Sequence, residues 1–252
     1  MYSVGEFSTN LIAGIVTLFA ATVLLGLFAA RQLKLEHPVL NVRPMASVRF
    51  WPACLLVVVS MMTTFSMSVL LPLYFEGAYG MTALIAGLLI LPAIACNAVT
   101  SIVGGRVMDA RGAWPLLPIG FALIAVGQTA ISMTAASMNI GVVVALTVVV
   151  YAGVGLVLSP SQTAGLETLP AAEHPHGTAL LNTWNMIAAS FGPSLFIGLL
   201  SSSAATAGAA GAATDVAQAI GFSAAVRVAA VIAVVGFVVS LVYARRESHM
   251  SH

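Results

Sequence analysis

Ser60, Thr64 and Ser68 recur every fourth residue inside one apolar run, and on a helix this spacing aligns three hydroxyls on one face, with Met61 and Phe65 beside them. Asn97, Tyr151, Asn182, Trp184 and Asn185 place larger polar or amphipathic groups inside other apolar runs. None of these side chains is charged near neutral pH. Together they suit hydrogen bonding and stacking against an amphiphilic small molecule, not the making or breaking of bonds. The same hydroxyls can instead join helix to helix, and Met61 and Met62 can simply fill gaps. No catalytic residue is expected. The acids Glu6, Glu36, Glu76, Asp109, Glu167, Glu173, Asp215 and Glu247 all fall between the apolar runs or at their ends, and none of the five histidines lies within one. Cys54 and Cys96 have neither CxxC spacing nor a neighbouring histidine, so no metal site is expected. No Gly-rich phosphate loop with a lysine is present, and neither ATP nor another cofactor is implied.

The elements that must carry these residues are apolar and long. The chain of 252 residues is 60% hydrophobic and only 7% charged, a composition that leaves no soluble domain of useful size. A net charge of +1 argues against a nucleic-acid partner, which would demand a basic face. Seven stretches, at about 11–30, 51–75, 82–103, 115–136, 139–159, 179–201 and 222–244, reach the roughly 20 residues that cross a bilayer core. Arg31, Lys34, Arg43 and Arg49 follow the first, Arg106 and Arg111 the third, and Arg245 and Arg246 the seventh. Those connections share one side, which the positive-inside rule makes cytoplasmic, with the N-terminus outside and the C-terminus inside.

The expected architecture is therefore an all-α membrane protein of seven transmembrane helices. Residues 1–30 form the exterior N-terminus and a peripheral helix, 31–50 a basic cytoplasmic linker, 51–244 a six-helix bundle and 245–252 a cytoplasmic tail. Within the bundle the segments 161–178 and 201–214 read as long connections, the second as a flexible Ala/Gly/Ser/Thr loop. Pro72, Pro92 and Pro193 mark places where helices can kink. Gln128 reads as a packing contact, Glu76 as an interfacial residue and Arg227 as a side chain that snorkels to the interface. An exported N-terminus without a basic leader suggests a chain cut from a longer one.

Between the third and fourth stretches the chain reads Gly104-Gly105-Arg106-Val107-Met108-Asp109-Ala110-Arg111-Gly112. This resembles the Gly-x-x-x-Asp-(Arg)-x-Gly loop of the major facilitator superfamily, with Gly105, Asp109 and Gly112 in register and arginine displaced to Arg111. In that loop the glycines permit a tight turn, and Asp109 stands where it can cap the following helix. Leu71-Pro72-Leu73-Tyr74-Phe75 through Leu91-Pro92, Pro160-Ser161-Gln162-Thr163, and Pro175-His176-Gly177-Thr178-Ala179 with Asn182-Thr183 resemble the fourteen-span drug:proton antiporters of the QacA/EmrB type, and most of all their lincomycin-resistance branch. Glu76 and Trp184-Asn185 depart from the pattern, where relatives usually carry glutamines. The resemblance implies the C-terminal half of a multidrug efflux transporter in the cell membrane, exchanging an amphiphilic drug for a proton. It implies that the second, third, fifth and sixth stretches surround a central cavity. It also implies that the coupling carboxylate belongs to a missing N-terminal half. Alternatives are a non-transporting membrane subunit or a half that pairs with itself.

Overall fold

The computed structural model describes residues 31, 43–48, 50–113 and 115–248. The expected first helix, at 11–30, and most of the linker lie outside the described residues. Those described are all helical: α1 (Phe50–Tyr79), α2 (Ala83–Arg111), α3 (Leu116–Thr134), α4 (Ile140–Glu167), α5 (His174–Ala209) and α6 (Thr214–Ser248), with short 3-10 turns at Arg43–Ala46, Ala135–Ser137 and Ala171–Glu173. Among the described residues, six helices are long and apolar enough to cross a membrane, which makes this a multi-pass membrane protein.

The helices outrun the apolar stretches that announced them. The 30 residues of α1 rise about 45 Å, half again the roughly 30 Å of hydrocarbon. The expected connection 161–178 shrinks to 168–173, because Pro160 lies inside α4 rather than ending it. The expected flexible loop 201–214 is mostly helix, since α5 continues to Ala209. Alanine favours the helix, and Ser202 and Thr206 turn their hydroxyls onto the carbonyls of Leu199 and Ser202. Tight turns close the hairpins. Gly80 takes φ 63° after α1 while its amide bonds the Glu76 carbonyl at 3.0 Å and the Met81 amide bonds Phe75 at 3.3 Å.

Helices α2, α4, α3, α6 and α5 pack in that order into an arc, and α1 lies within it against α4, α6 and α5. The two ends of the arc, α2 and α5, are the least buried of the six. Helix α4 can serve two neighbours because it is thin at two glycines. A Cβ on Gly153 would stand 2.6 Å from the Gly120 carbonyl oxygen of α3, and one on Gly155 would stand 2.6 Å from the Asn97 carbonyl oxygen of α2. Aromatic packing pins the end of the bundle away from the linker. Tyr74 stacks on Phe222 at 4.2 Å and donates its hydroxyl to the Ala135 carbonyl at 2.8 Å, tying α1 to α6 and to the end of α3. A separate apolar cluster of Phe50, Cys54, Val57, Leu169, Leu180 and Leu181 holds the other end, where α1 and α5 begin and α4 stops. Gln128 is fully buried in α3, as expected of a packing residue, yet neither of its amide atoms has a protein partner.

The glycine contacts give a graded prediction. Gly155→Ala should destabilise the bundle by about 1–3 kcal/mol through overpacking against the α2 backbone. Gly105→Ala, where a Cβ meets nothing within 4 Å, should leave the melting temperature in detergent close to that of the parent. Equal melting temperatures for the two variants would refute the close α2–α4 approach.

Candidate functional site

The accessible face of α1 runs through Val58, Met61, Phe65, Ser68, Pro72 and Glu76, each half-buried or exposed, at the three- and four-residue steps of one helical stripe. It lies on the helix that the arc encloses, between the two open edges α2 and α5. The expected hydroxyl stripe does not coincide with this face. Steps of four residues drift around a helix by about 40° each, so Ser60 is buried, Thr64 half-buried and Ser68 exposed. All three hydroxyls donate to carbonyls of their own helix: Ser60 to Leu56 at 2.9 Å, Thr64 to Ser60 at 2.9 Å and Ser68 to Phe65 at 2.8 Å. They therefore neither join helices nor present three free donors. Met61, Phe65 and Ser68 remain as the accessible part of the set.

Asn97 and Tyr151 are brought together, but by backbone. The Asn97 side-chain amide donates to the Tyr151 carbonyl at 3.0 Å, clasping α2 to α4 beside the Gly155 contact. The Tyr151 ring is buried. A polar group that would be costly against lipid thus finds its partner in a carbonyl exposed by the thin glycine surface.

Asn182 is exposed near the start of α5, and Asn185 is half-buried with its Oδ1 atom unpartnered. Trp184 is held from a direction that helical periodicity does not reveal. Its indole N–H donates to the Met45 sulfur at 3.3 Å, and its ring lies 5.5 Å from Trp51 at 39°. Met45 sits in the 3-10 turn that ends the linker, and Ser47 then accepts the Phe50 and Trp51 amides as α1 begins. The linker is thereby strapped across the starts of α1 and α5, a role for Trp184 and Met45 that the sequence reading missed.

The Gly105 to Gly112 segment is mostly helix. Asp109 and Arg111 are exposed in the last turn of α2, Gly105 is half-buried, and Gly112 caps the helix at φ 74° with its amide on the Met108 carbonyl at 2.8 Å. The expected capping of α3 by Asp109 is not what the structure shows. Helix α2 runs on through Arg111, which keeps Asp109 on its own helix, and the Leu116 and Leu117 amides close onto the Ala113 carbonyl instead.

Among the described residues there are six spanning helices and no strand, and residues 3–193 match the Major Facilitator Superfamily, to which the chain belongs. Members of this family are transporters rather than enzymes. The chain is 31% identical over 199 residues to the lincomycin resistance protein LmrB of Listeria monocytogenes, covering 79% of this chain and 42% of that protein. It is 32% identical over 187 residues to LmrB of Bacillus subtilis, covering 74% of the chain and 39% of that protein. It is 32% identical over 240 residues to the uncharacterized MFS-type transporter YcnB of Bacillus subtilis, covering 94% of the chain and 50% of that protein. The chain spans about half the length of the curated relatives it matches.

The linker strap is open to measurement. With Trp51 and Trp114 replaced by Phe, Met45→Ala should shift Trp184 emission to the red, increase its quenching by acrylamide and cost about 1–2 kcal/mol of stability. An unchanged spectrum would mean that Met45 does not hold the indole.

Proposed function

We propose that this chain acts as the C-terminal half of a proton-coupled multidrug efflux transporter, with its open side completed by an N-terminal half. The observation that carries this reading is the enclosed helix α1, which turns Met61, Phe65 and Ser68 toward a side that no other described helix covers. A thioether, an aromatic ring and one hydroxyl hold an amphiphilic molecule by dispersion and stacking, without the fixed geometry that would demand a single substrate. Asn182 and Asn185 on α5 are the further polar candidates of this reading, and Glu76 at the far end of α1 attracts cationic substrates. Two of the relatives carry lincomycin resistance in their names, in keeping with export of a drug.

Among the described residues, the acidic residues of these helices sit at or near helix ends: Glu76, Asp109, Glu167, Asp215 and Glu247. A coupling proton needs a carboxylate that can face either side from within the membrane, so in this reading the companion half supplies it. The two halves then rock about a midplane site. The positive charge of Arg106 and Arg111 supports a cytoplasmic α2–α3 turn, where in this reading the Gly105–Asp109–Arg111–Gly112 segment meets the companion as the halves rock.

Co-expression with a matching N-terminal half should restore energy-dependent efflux of an amphiphilic drug. In that pair Phe65→Ala should lower the efflux rate roughly 3- to 10-fold, the effect of losing about 0.5–1.5 kcal/mol of aromatic contact. In the same cells Thr82→Cys should react with an impermeant maleimide from outside, and Arg111→Cys only after permeabilisation. No efflux from a correctly inserted pair, or the reverse labelling, would overturn the reading.

A further inference from the structure

We propose that Arg227 binds the phosphate of a phospholipid whose headgroup sinks into the bilayer beside the short helix α3. This site lies on the back of the arc and is independent of what the open side carries.

Helix α3 sets the depth scale. Its 19 residues rise about 28 Å against roughly 30 Å of hydrocarbon, whereas α4 and α6 run to 28 and 35 residues. It is pinned to α6 at two points: the Ser223 hydroxyl donates to the Ser132 carbonyl, and a Cβ on Gly236 would stand 2.9 Å from the Phe121 ring. The two helices therefore run in opposite directions, and Thr134, where α3 stops, marks the edge of the hydrocarbon in that leaflet. Thr134 stands two residues above the Ser132–Ser223 contact and Arg227 four residues below it, so Arg227 leaves its helix about 9 Å inside the edge. The side chain is exposed, and Ile220, Val231, Val234 and Val238 on the same face are exposed and apolar. The inward face of α6, with Phe222, Ala225, Val226, Ala229 and Ala233, is buried and points the other way. Arg227 has no hydrogen bond or ion pair among the described residues, and Asp215 lies twelve residues, about 18 Å, nearer the start of α6.

A full charge in hydrocarbon without a partner is costly, and an arginine meets the cost by stretching toward the interface and by drawing headgroups and water down to itself. Two features of this place favour the second route. A helix as short as α3 keeps the bilayer thin beside it, so the headgroup has less far to sink. Gln128, one turn before Ser132 and hence level with Arg227, is fully buried in the α3–α6 seam, and neither of its amide atoms has a protein partner. A hydrated phosphate at this depth brings the water that such an amide lacks. Guanidinium and phosphate also match as a two-pronged pair, each N–H to its own oxygen, which makes the phosphate rather than the ester carbonyls the ligand.

The test is native mass spectrometry of the full chain, released from mild detergent and titrated with phosphatidylglycerol, dioleoylglycerol or inorganic phosphate. The first phosphatidylglycerol adduct should need about tenfold more lipid in Arg227→Leu than in the parent, with Arg227→Lys between them. Dioleoylglycerol, which has no phosphate, should bind parent and variant alike. Ile220→Arg added to the Arg227→Leu chain, seven residues shallower on the same face, should not restore the adduct. A second readout uses bilayer nanodiscs containing phosphatidylglycerol and the full chain with Cys54 and Cys96 replaced by Ala. There Thr129→Cys, exposed beside Gln128, should react with a water-soluble maleimide several-fold faster when Arg227 is present than with Arg227→Leu. Equal titrations of parent and Arg227→Leu, recovery by Ile220→Arg, or unchanged labelling would overturn the proposal. An adduct displaced by inorganic phosphate would make the ligand a free anion, and a second protein chain in place of the lipid would make it a helix; either result rejects the phospholipid.

Discussion

Hydrocarbon offers no hydrogen-bond partner, so the backbone amides that enter it must be satisfied by the chain itself, and most hydroxyls are as well, Ser66 and Ser161 being buried exceptions. This constraint shapes the bundle at each level. It makes the spanning elements helices, and it turns Ser60, Thr64, Ser68, Thr100, Thr147 and Ser194 back onto carbonyls of their own helices. Association between helices then falls to close approach and to a few well-placed polar clasps. Gly153 and Gly155 let α4 touch α3 and α2 at backbone distance, and Asn97 uses the α4 surface so exposed to reach the Tyr151 carbonyl.

The same economy explains why the open side is chemically quiet. A face whose hydroxyls are already engaged makes few directional demands, and Met61 and Phe65 offer area without fixed orientation. In the proposed function such a surface would bind by shape and dispersion, which suits a transporter family whose members handle small molecules. At the starts of α1 and α5, by contrast, the Trp184 indole is fixed to Met45, so this end has a more definite structure than the middle of the face.

Hydropathy made the six helices legible because burial in lipid writes itself into composition. Helix ends were less so: the second, third and fifth stretches were read to 75, 103 and 159, whereas α1, α2 and α4 continue to Tyr79, Arg111 and Glu167. Beyond the hydrocarbon a helix needs no apolar residues, only an absence of reasons to stop, and Pro160 was not reason enough. The site was legible as a set of residue types and much less as an arrangement. The spacing of Ser60, Thr64 and Ser68 is real, but its drift around the helix carries one end into the core. The partners of Asn97 and Trp184 are 54 and 139 residues away in the chain, a separation over which no local pattern reports.

Along α5 the two apolar clusters take different parts of the helix. The larger one includes Leu70, Tyr74, Phe196 and Leu200, while the smaller one, with Phe50, Val57, Leu180 and Leu181, holds the starts of the same two helices. Between them on α5 lie Gly192 and Pro193, where the backbone has one ladder bond fewer. Such an arrangement is that of a wrist: two firm grips on either side of a compliant joint, so that the forearm and the hand can each keep their own packing while the angle between them changes.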